Sequence, residues 1–292
     1  MDIFQQDKYL IVIEGGGSTC RGLRYDLGQG RIDQRLILDQ HPCNLHRNRV
    51  RTEASILTML GRIGDAGGPL FLSLPGVSNR ENVVWLTAQL SQRGWGPVYI
   101  VSDAVAALWG AFEEPAPGQG VFIGGTGCIA LGYDGHHLWR TGSPETEVAC
   151  GPWLAAEALK RVPHDPQLAL FMGQPPSDPA EERHQQALRA PRVFAAAAAG
   201  NKTAQELLQE AATSIDAHLA QLRPCGIHDF ALCGSIAQAL RPWVKTPTRI
   251  ACANGLEGAL ALGLSVYNNP GMLHWLCDLR KIETDSPLAA QA

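Results

Sequence analysis

The chain has 292 residues, of which 45% are hydrophobic, and its 28 acidic and 24 basic side chains give a net charge of −4. That is enough apolar material for one large or two medium cores, and the lack of a basic stripe predicts no nucleic-acid partner. No apolar run approaches the roughly 18 residues of a membrane helix, and no charged segment followed by a long apolar one opens the chain, so the expectation is a cytoplasmic protein with no signal peptide and no membrane partner.

The first element reads Leu10-Ile-Val-Ile-Glu-Gly-Gly-Gly-Ser-Thr-Cys, followed by Arg21-Gly-Leu-Arg-Tyr-Asp-Leu-Gly. This is a β-branched strand, a Gly-rich turn with hydroxyls, and a second strand ending in Tyr-Asp before another Gly turn, which is hairpin grammar. Helices are predicted over Thr52–Ala66 and Glu81–Arg93, with a buried strand at Pro69–Leu74 between them and a turn at Pro75-Gly76. Val98–Val101 reads as a strand that ends at Ser102-Asp103, and Asp103–Phe112 as a capped helix.

Gly120-Val-Phe-Ile-Gly-Gly-Thr-Gly-Cys, followed by Ile129-Ala-Leu-Gly-Tyr-Asp-Gly, then repeats the first hairpin about 110 residues later, a duplicated domain rather than a short-period repeat. A polar segment, Arg140–Cys150, and helices at Trp153–Arg161, Phe194–Ala199 and Ala204–Leu222 follow, with a Pro/acid-rich loop over residues 173–183. Phe230–Cys233 and Arg249–Cys252 read as strands; Ile236–Trp243 starts a helix, Leu256–Tyr267 is a small-residue helix, and the last ten residues read as frayed. Alternating strands and helices imply α/β layers.

Each Gly-rich turn between two strands exposes backbone N–H groups to which phosphate oxygens can come close. Gly15, Gly16 and Gly17 with the hydroxyls of Ser18 and Thr19 form the first such turn, and Gly124, Gly125, Thr126 and Gly127 the second. One turn alone is weak evidence; two, each opening a duplicated half, point to a polyphosphate gripped from both sides. Asp103 ends a buried strand and opens a helix, at the edge where open α/β sheets bind ligands, and a carboxylate there can accept a proton from a hydroxyl or hold a metal-bound water. Taken alone it reads more readily as a helix cap.

The ordered set EGGGSTCR, SDAVAAL, GGTGC, CGSIAQAL and NGLEGALALG, spanning Ile11 to Gly263, resembles the bacterial glucosamine and N-acetylglucosamine kinases of the sugar kinase, Hsp70 and actin superfamily. The resemblance implies a duplicated ribonuclease-H-like α/β fold of actin/hexokinase type, with ATP and Mg²⁺ in a central cleft and a small-molecule sugar as substrate. It implies an N-terminal domain over 1–112 and a C-terminal domain over 113–292, with the last helix returning to the first, and is compatible with a homodimer. By the same resemblance, Gly15–Thr19 and Gly125–Gly127 are the phosphate loops, and Gly234, Ser235, Glu257 and Gly258 flank the adenosine. Asp103 is the catalytic base. Asn44 binds sugar, Gly76 belongs to a turn facing it, and Glu14 and Asp103 serve the metal.

Two departures stand out. Glu14 replaces the family's Asp and is one methylene longer, which matters for a cation as demanding as Mg²⁺. The family's Gly-Asp-(Glu/Gln)-Gly-Ser sugar turn matches Val148-Ala-Cys-Gly-Pro, where Gly151 survives but Ala149 and Cys150 replace the acidic pair. Glu145 and Glu147 stand nearby. The expected activity is phosphorylation of an amino sugar. The alternatives are a nucleotide- or sugar-binding regulatory protein with a degenerate site, and an ATPase serving electron transfer through a cysteine-held cluster near Cys128 and Cys150.

The eight cysteines form no CxxC pair and read as free, mostly buried thiols. His41, His46, His136 and His137 read as loop residues, Arg47, Arg49 and Arg51 as a solvated loop, and Trp95, Trp109 and Trp153 as core or domain-interface residues.

Overall fold

A computed structural model describes residues 7–17, 19–64, 67–112, 115–142, 147–173 and 183–282. The chain divides into two compact units, Met1–Glu114 with Cys252–Asp278, and Pro115–Ala251 with Leu279–Ala292.

The first unit is built on a five-stranded sheet. β1 (Tyr9–Gly15), β2 (Thr19–Asp26) and β3 (Arg31–Asp39) form an antiparallel meander, and β4 (Leu70–Leu74) and β5 (Val98–Ser102) extend β1 in parallel, giving the order β3-β2-β1-β4-β5. Helices α1 (Arg49–Ile63) and α2 (Arg80–Gln92) lie over a core that includes Ile13, Leu72, Leu74, Ile56, Met59 and Leu86. Asn48 and Asn79 cap them, each accepting backbone N–H bonds from the first turn, worth about 1 kcal/mol apiece. α3 (Asp103–Phe112) pairs closely with α10 (Gly255–Asn268), which comes from the far end of the chain. α11 (Leu273–Leu276) closes this unit, with Trp275 against Trp109 at 6.0 Å between ring centroids.

The second unit repeats the plan. β6 (Gln119–Gly124), β7 (Cys128–Tyr133) and β8 (Leu138–Thr141) form the meander, and β9 (Asp229–Cys233) and β10 (Thr248–Ile250) run parallel to β6. An added strand, β11 (Leu279–Lys281), pairs with β8, giving the order β10-β9-β6-β7-β8-β11. Its helices are α4 (Gly151–Arg161), α5 (Pro166–Met172), α6 (Arg183–Ala187), α7 (Ala190–Ala198), α8 (Lys202–Leu222) and α9 (Ser235–Leu240). One face of α7 packs into the core, with Ala190 and Ala196 fully buried and Ala197 5% exposed, while Ala195 and Ala198 face outward.

The helices and central strands fall where the sequence places them, within a few residues; α3 matches at both ends. β3, β8 and β11 are additions, as are α5, α6 and α11. Much of the expected loop over 173–183, and the frayed end, fall outside the described residues. All eight cysteines are free thiols; Cys20, Cys43, Cys150 and Cys233 are buried, whereas Cys252 and Cys277 are exposed. No helix among the described residues is long and apolar enough to cross a membrane.

Candidate active site

In the first unit the turn between β1 and β2 closes with Gly16 N–H donating to Thr19 O at 2.9 Å; Ser18 lies outside the described residues. Gly15 is a packing residue: a Cβ there would stand 2.5 Å from Cys43 Cβ and 2.8 Å from Leu74. Cys43 N–H donates to Gly16 O at 3.0 Å, so the segment carrying Asn44 follows directly on the turn. Asn44 Oδ1 accepts from His46 N and Arg47 N at 3.1 Å each, which makes it the turn former its type suggests and leaves Nδ2 as its free-standing donor group. Gly76, at φ +84°, brings the turn after β4 onto this segment; a Cβ there would collide with His46 N and lie 2.9 Å from Asn44 Oδ1. Asn44 and Gly76 are thus neighbours.

Asp103 opens α3 at the end of β5. One carboxylate oxygen, Oδ1, accepts from Ala104 N at 3.0 Å and Ser102 Oγ at 3.3 Å. Burial, helped by the negative charge of Glu14, pushes its carboxyl up to about 6, against hydrogen bonds that pull it down. At neutral pH most of Asp103 is ionised, yet it is a far stronger base than an ordinary aspartate.

Glu14 does not point freely into space. Its Oε2 accepts from Arg21 Nε at 2.7 Å, and its Oε1 stands 3.2 Å from where a Cβ on Gly255 would be, at the start of α10. Arg21 was not singled out by the sequence as a site residue, although it ends the EGGGSTCR segment. The mutual repulsion of Glu14 and Asp103 is the condition a divalent cation relieves, so this donor pair fits one.

The two residues assigned to the adenosine from NGLEGALALG lie in the first unit. Gly258 is buried between α10 and α3, with the backbone of Ala106 and Gly110 where a side chain would stand. It is a helix-packing glycine. Glu257 is partly exposed and pairs with Arg35 of β3.

In the second unit, Gly125 N–H donates to Gly127 O at 2.9 Å. Neither glycine has φ in the left-handed region, and nothing lies within 4 Å of where a Cβ on Gly125 would be. Glycine here is not required by backbone conformation; its use is to leave the backbone open to approach. Gly234, at φ +83°, packs its Cα on the backbone of Gly124, and it and Ser235 are exposed at the start of α9.

Gly151 is not a turn glycine: it is the first residue of α4, buried, with N–H donating to Gly125 O at 2.8 Å. The left-handed position is Ala149, at φ +69° and fully buried. Left-handed backbone is where glycine usually stands; here it is held by an alanine, with Glu147 two residues before it and Cys150 preceding the helix. Glu147 Oε1 lies 2.6 Å from where a Cβ on Gly127 would be, against the second Gly turn. Cys128 Sγ donates to Val148 O at 2.9 Å and Cys150 Sγ to Glu147 O at 3.3 Å, tying the same loop. Among the described residues no group of three or more His, Cys, Asp or Glu is placed to hold a metal ion.

The left-handed strain at Ala149 is worth about 1–2 kcal/mol, but its buried methyl returns about 0.8 kcal/mol and its stiffer unfolded chain about 0.4–1 kcal/mol. Ala149→Gly is therefore expected to leave stability within about 1 kcal/mol of the parent by denaturant unfolding, a tolerance that a right-handed helical alanine would not show.

No family model and no curated protein matches the chain. Solved structures do. A proposed N-acetylglucosamine kinase from Chromobacterium violaceum superposes with a TM-score of 0.72 at 23% identity, over 88% of this chain and 99% of that one. A ROK family glucokinase from Streptomyces griseus, in complex with glucose and AMPPNP, gives 0.60 at 18% identity, over 88% and 99%. A ROK hexokinase from Thermus thermophilus gives 0.53 at 18% identity, over 89% and 100%. The chain has the duplicated α/β fold shared by these sugar-kinase structures.

Proposed function

We propose that this chain is an ATP-dependent sugar kinase that phosphorylates an amino sugar of the glucosamine or N-acetylglucosamine type. The observation that carries the reading is Asp103: a carboxylate at the end of a parallel strand, raised to about 6, in the same unit as the Gly15–Thr19 turn and the Asn44–Gly76 pair. The acceptor hydroxyl attacks the γ-phosphorus, forming the new O–P bond as the bond to the β-phosphate oxygen breaks and ADP leaves. Asp103 takes the hydroxyl proton, and the backbone N–H groups of the Gly15–Thr19 and Gly125–Gly127 turns take up phosphate charge. Mg²⁺ would be held by Glu14 and Asp103 and would supply charge neutralisation on the phosphates.

Setting the left-handed Ala149 against the second Gly of the family's sugar turn puts Glu147 in its acid position, so Glu147 is the acceptor-binding carboxylate in this reading, with Asn44 as a further sugar-binding residue. With it in the acid position, the main sequence argument for a degenerate regulatory protein loses its force. The test is ADP release from Mg·ATP with a panel of hexoses, amino sugars and acetamido sugars. Turnover stimulated by an amino or acetamido sugar supports the assignment; nucleotide binding with no stimulation by any sugar would return the chain to the regulatory class. Glu147→Gln is expected to raise the KM for the sugar about tenfold or more, as for a lost charge-assisted hydrogen bond, and to leave the KM for ATP unchanged.

A further inference from the structure

Three strands set three polar side chains in one row. Arg21 of β2 pairs with Glu14 of β1, and Glu14 pairs with Ser73 of β4. Laterally paired residues project from the same face and stand close enough to touch. Glu14 therefore sits between a guanidinium and a hydroxyl, and in this structure it has taken the guanidinium.

Ser73 is fully buried, and its Oγ has no hydrogen-bond partner among the described residues. Its face is the one covered by α10: Phe71, two residues earlier, packs against Gly263, and Gly255 stands over Glu14. Neither water nor a ligand reaches the hydroxyl, so it does not bind an acceptor directly. A buried hydroxyl left unpaired is costly, and such a cost persists when the partner arrives in another state of the protein.

We propose that Ser73 is the second seat of Glu14, a positioning residue that receives the carboxylate when a polyphosphate draws Arg21 away. This rests on the phosphoryl-transfer reading. Arg21 lies two residues past the first Gly turn and keeps part of its side chain open to solvent, 31% against 12% for Glu14. A phosphate at that turn competes with Glu14 for the guanidinium. Glu14, once released, is a nearly buried carboxylate that needs a donor. The Ser73 hydroxyl satisfies one oxygen without adding a charge, and fixes Glu14 beside Asp103.

The experiment is a double-mutant cycle on melting temperature, with and without Mg·AMPPNP. In the free parent, Ser73→Ala removes an unpaired hydroxyl and is expected to leave the melting temperature unchanged or raise it. In an Arg21→Met background, which has no donor at that position, Glu14 has only Ser73 to turn to, and the same substitution is expected to lower it. Mg·AMPPNP is expected to bind Ser73→Ala about tenfold more weakly than the parent, with a smaller thermal shift. Ser73→Ala that lowers the free parent's melting temperature and leaves nucleotide affinity alone would overturn the proposal, because the hydroxyl would then be an ordinary structural group. The absence of a sign change in the Arg21→Met background would overturn it as well. A parent that gives no shift with any Mg·nucleotide would overturn the phosphoryl-transfer reading, and is told apart from failure of the second seat by the nucleotide-free half of the cycle.

Discussion

Asp103→Asn is expected to lower sugar-stimulated ADP formation by a factor of roughly 10²–10⁴, the usual worth of a positioned general base, while making the folded protein more stable above pH 6. The two effects have one cause. The folded protein holds the Asp103 carboxyl at about 6 against an ordinary value of 3.8. Between those values the folded state binds more protons than the unfolded one, so stability falls as pH rises through this window and the full cost is present above pH 6. About two pH units correspond to at most about 3 kcal/mol, less because Asp103 keeps some exposure. Asn cannot ionise, so the variant escapes that cost. Parent and variant should unfold alike near pH 4 and diverge by pH 7, the variant being the more stable. Turnover of the parent should run the other way, falling on acidification through pH 6 as the base is protonated. A variant that is inactive and also less stable at pH 7 would show that Asp103 is chiefly a helix cap, and a parent rate indifferent to pH between 5 and 7 would remove it as the base.

The same carboxylate shows where sequence reasoning works. Val98–Val101 is an unbroken apolar run, which a strand buried on both faces requires, and Ser102-Asp103 interrupts it with residues that favour helix starts; strand, edge and helix are therefore legible together. β3 was not, because its residues alternate partly buried with exposed along an edge, and Arg31-Ile-Asp-Gln-Arg-Leu-Ile-Leu-Asp carries enough charge to pass for a loop. β8 and β11 are too short to show any period. The loop before α4 is illegible for a different reason. Gly151 stands out in the sequence because it is a glycine, whereas the left-handed position is Ala149, which its residue type does not announce. The place of α10 in the first unit is not legible in its own residues. Nothing in Asn254-Gly-Leu-Glu-Gly-Ala says that it packs on Asp103–Phe112, although small residues on both helices are the trace such a contact leaves.

That contact makes a sharp prediction. At Gly258 an added Cβ would fall on the carbonyl of Ala106 and the amide of Gly110, and 2.8 Å from Gly110 Cα; on the other side, a Cβ on Gly110 would stand 2.5 Å from Asn254 O. These are backbone atoms, which cannot swing aside as a side chain does, so α10 and α3 would have to separate. Overpacking of this kind costs about 3 kcal/mol or more, from which alanine's better helix propensity returns about 1 kcal/mol. Gly258→Ala is thus expected to destabilise the protein by about 2 kcal/mol or more and to lower its melting temperature by several degrees. Gly61 supplies the opposite case: it lies in α1 with nothing within 4 Å of its would-be Cβ. Gly61→Ala gains the same helix propensity, about 1 kcal/mol, and meets no neighbour. One substitution type, made in two helices of one unit, should therefore change stability with opposite signs. Because α3 begins at Asp103 and α10 begins beside Glu14, a shift between the helices also moves the two carboxylates relative to each other. Gly258→Ala should lose turnover beyond what its unfolded fraction explains, whereas Gly61→Ala should keep the parent rate. If both variants melted higher than the parent, the close approach of α3 and α10 would be wrong, and with it the placement of Glu257 in the first unit.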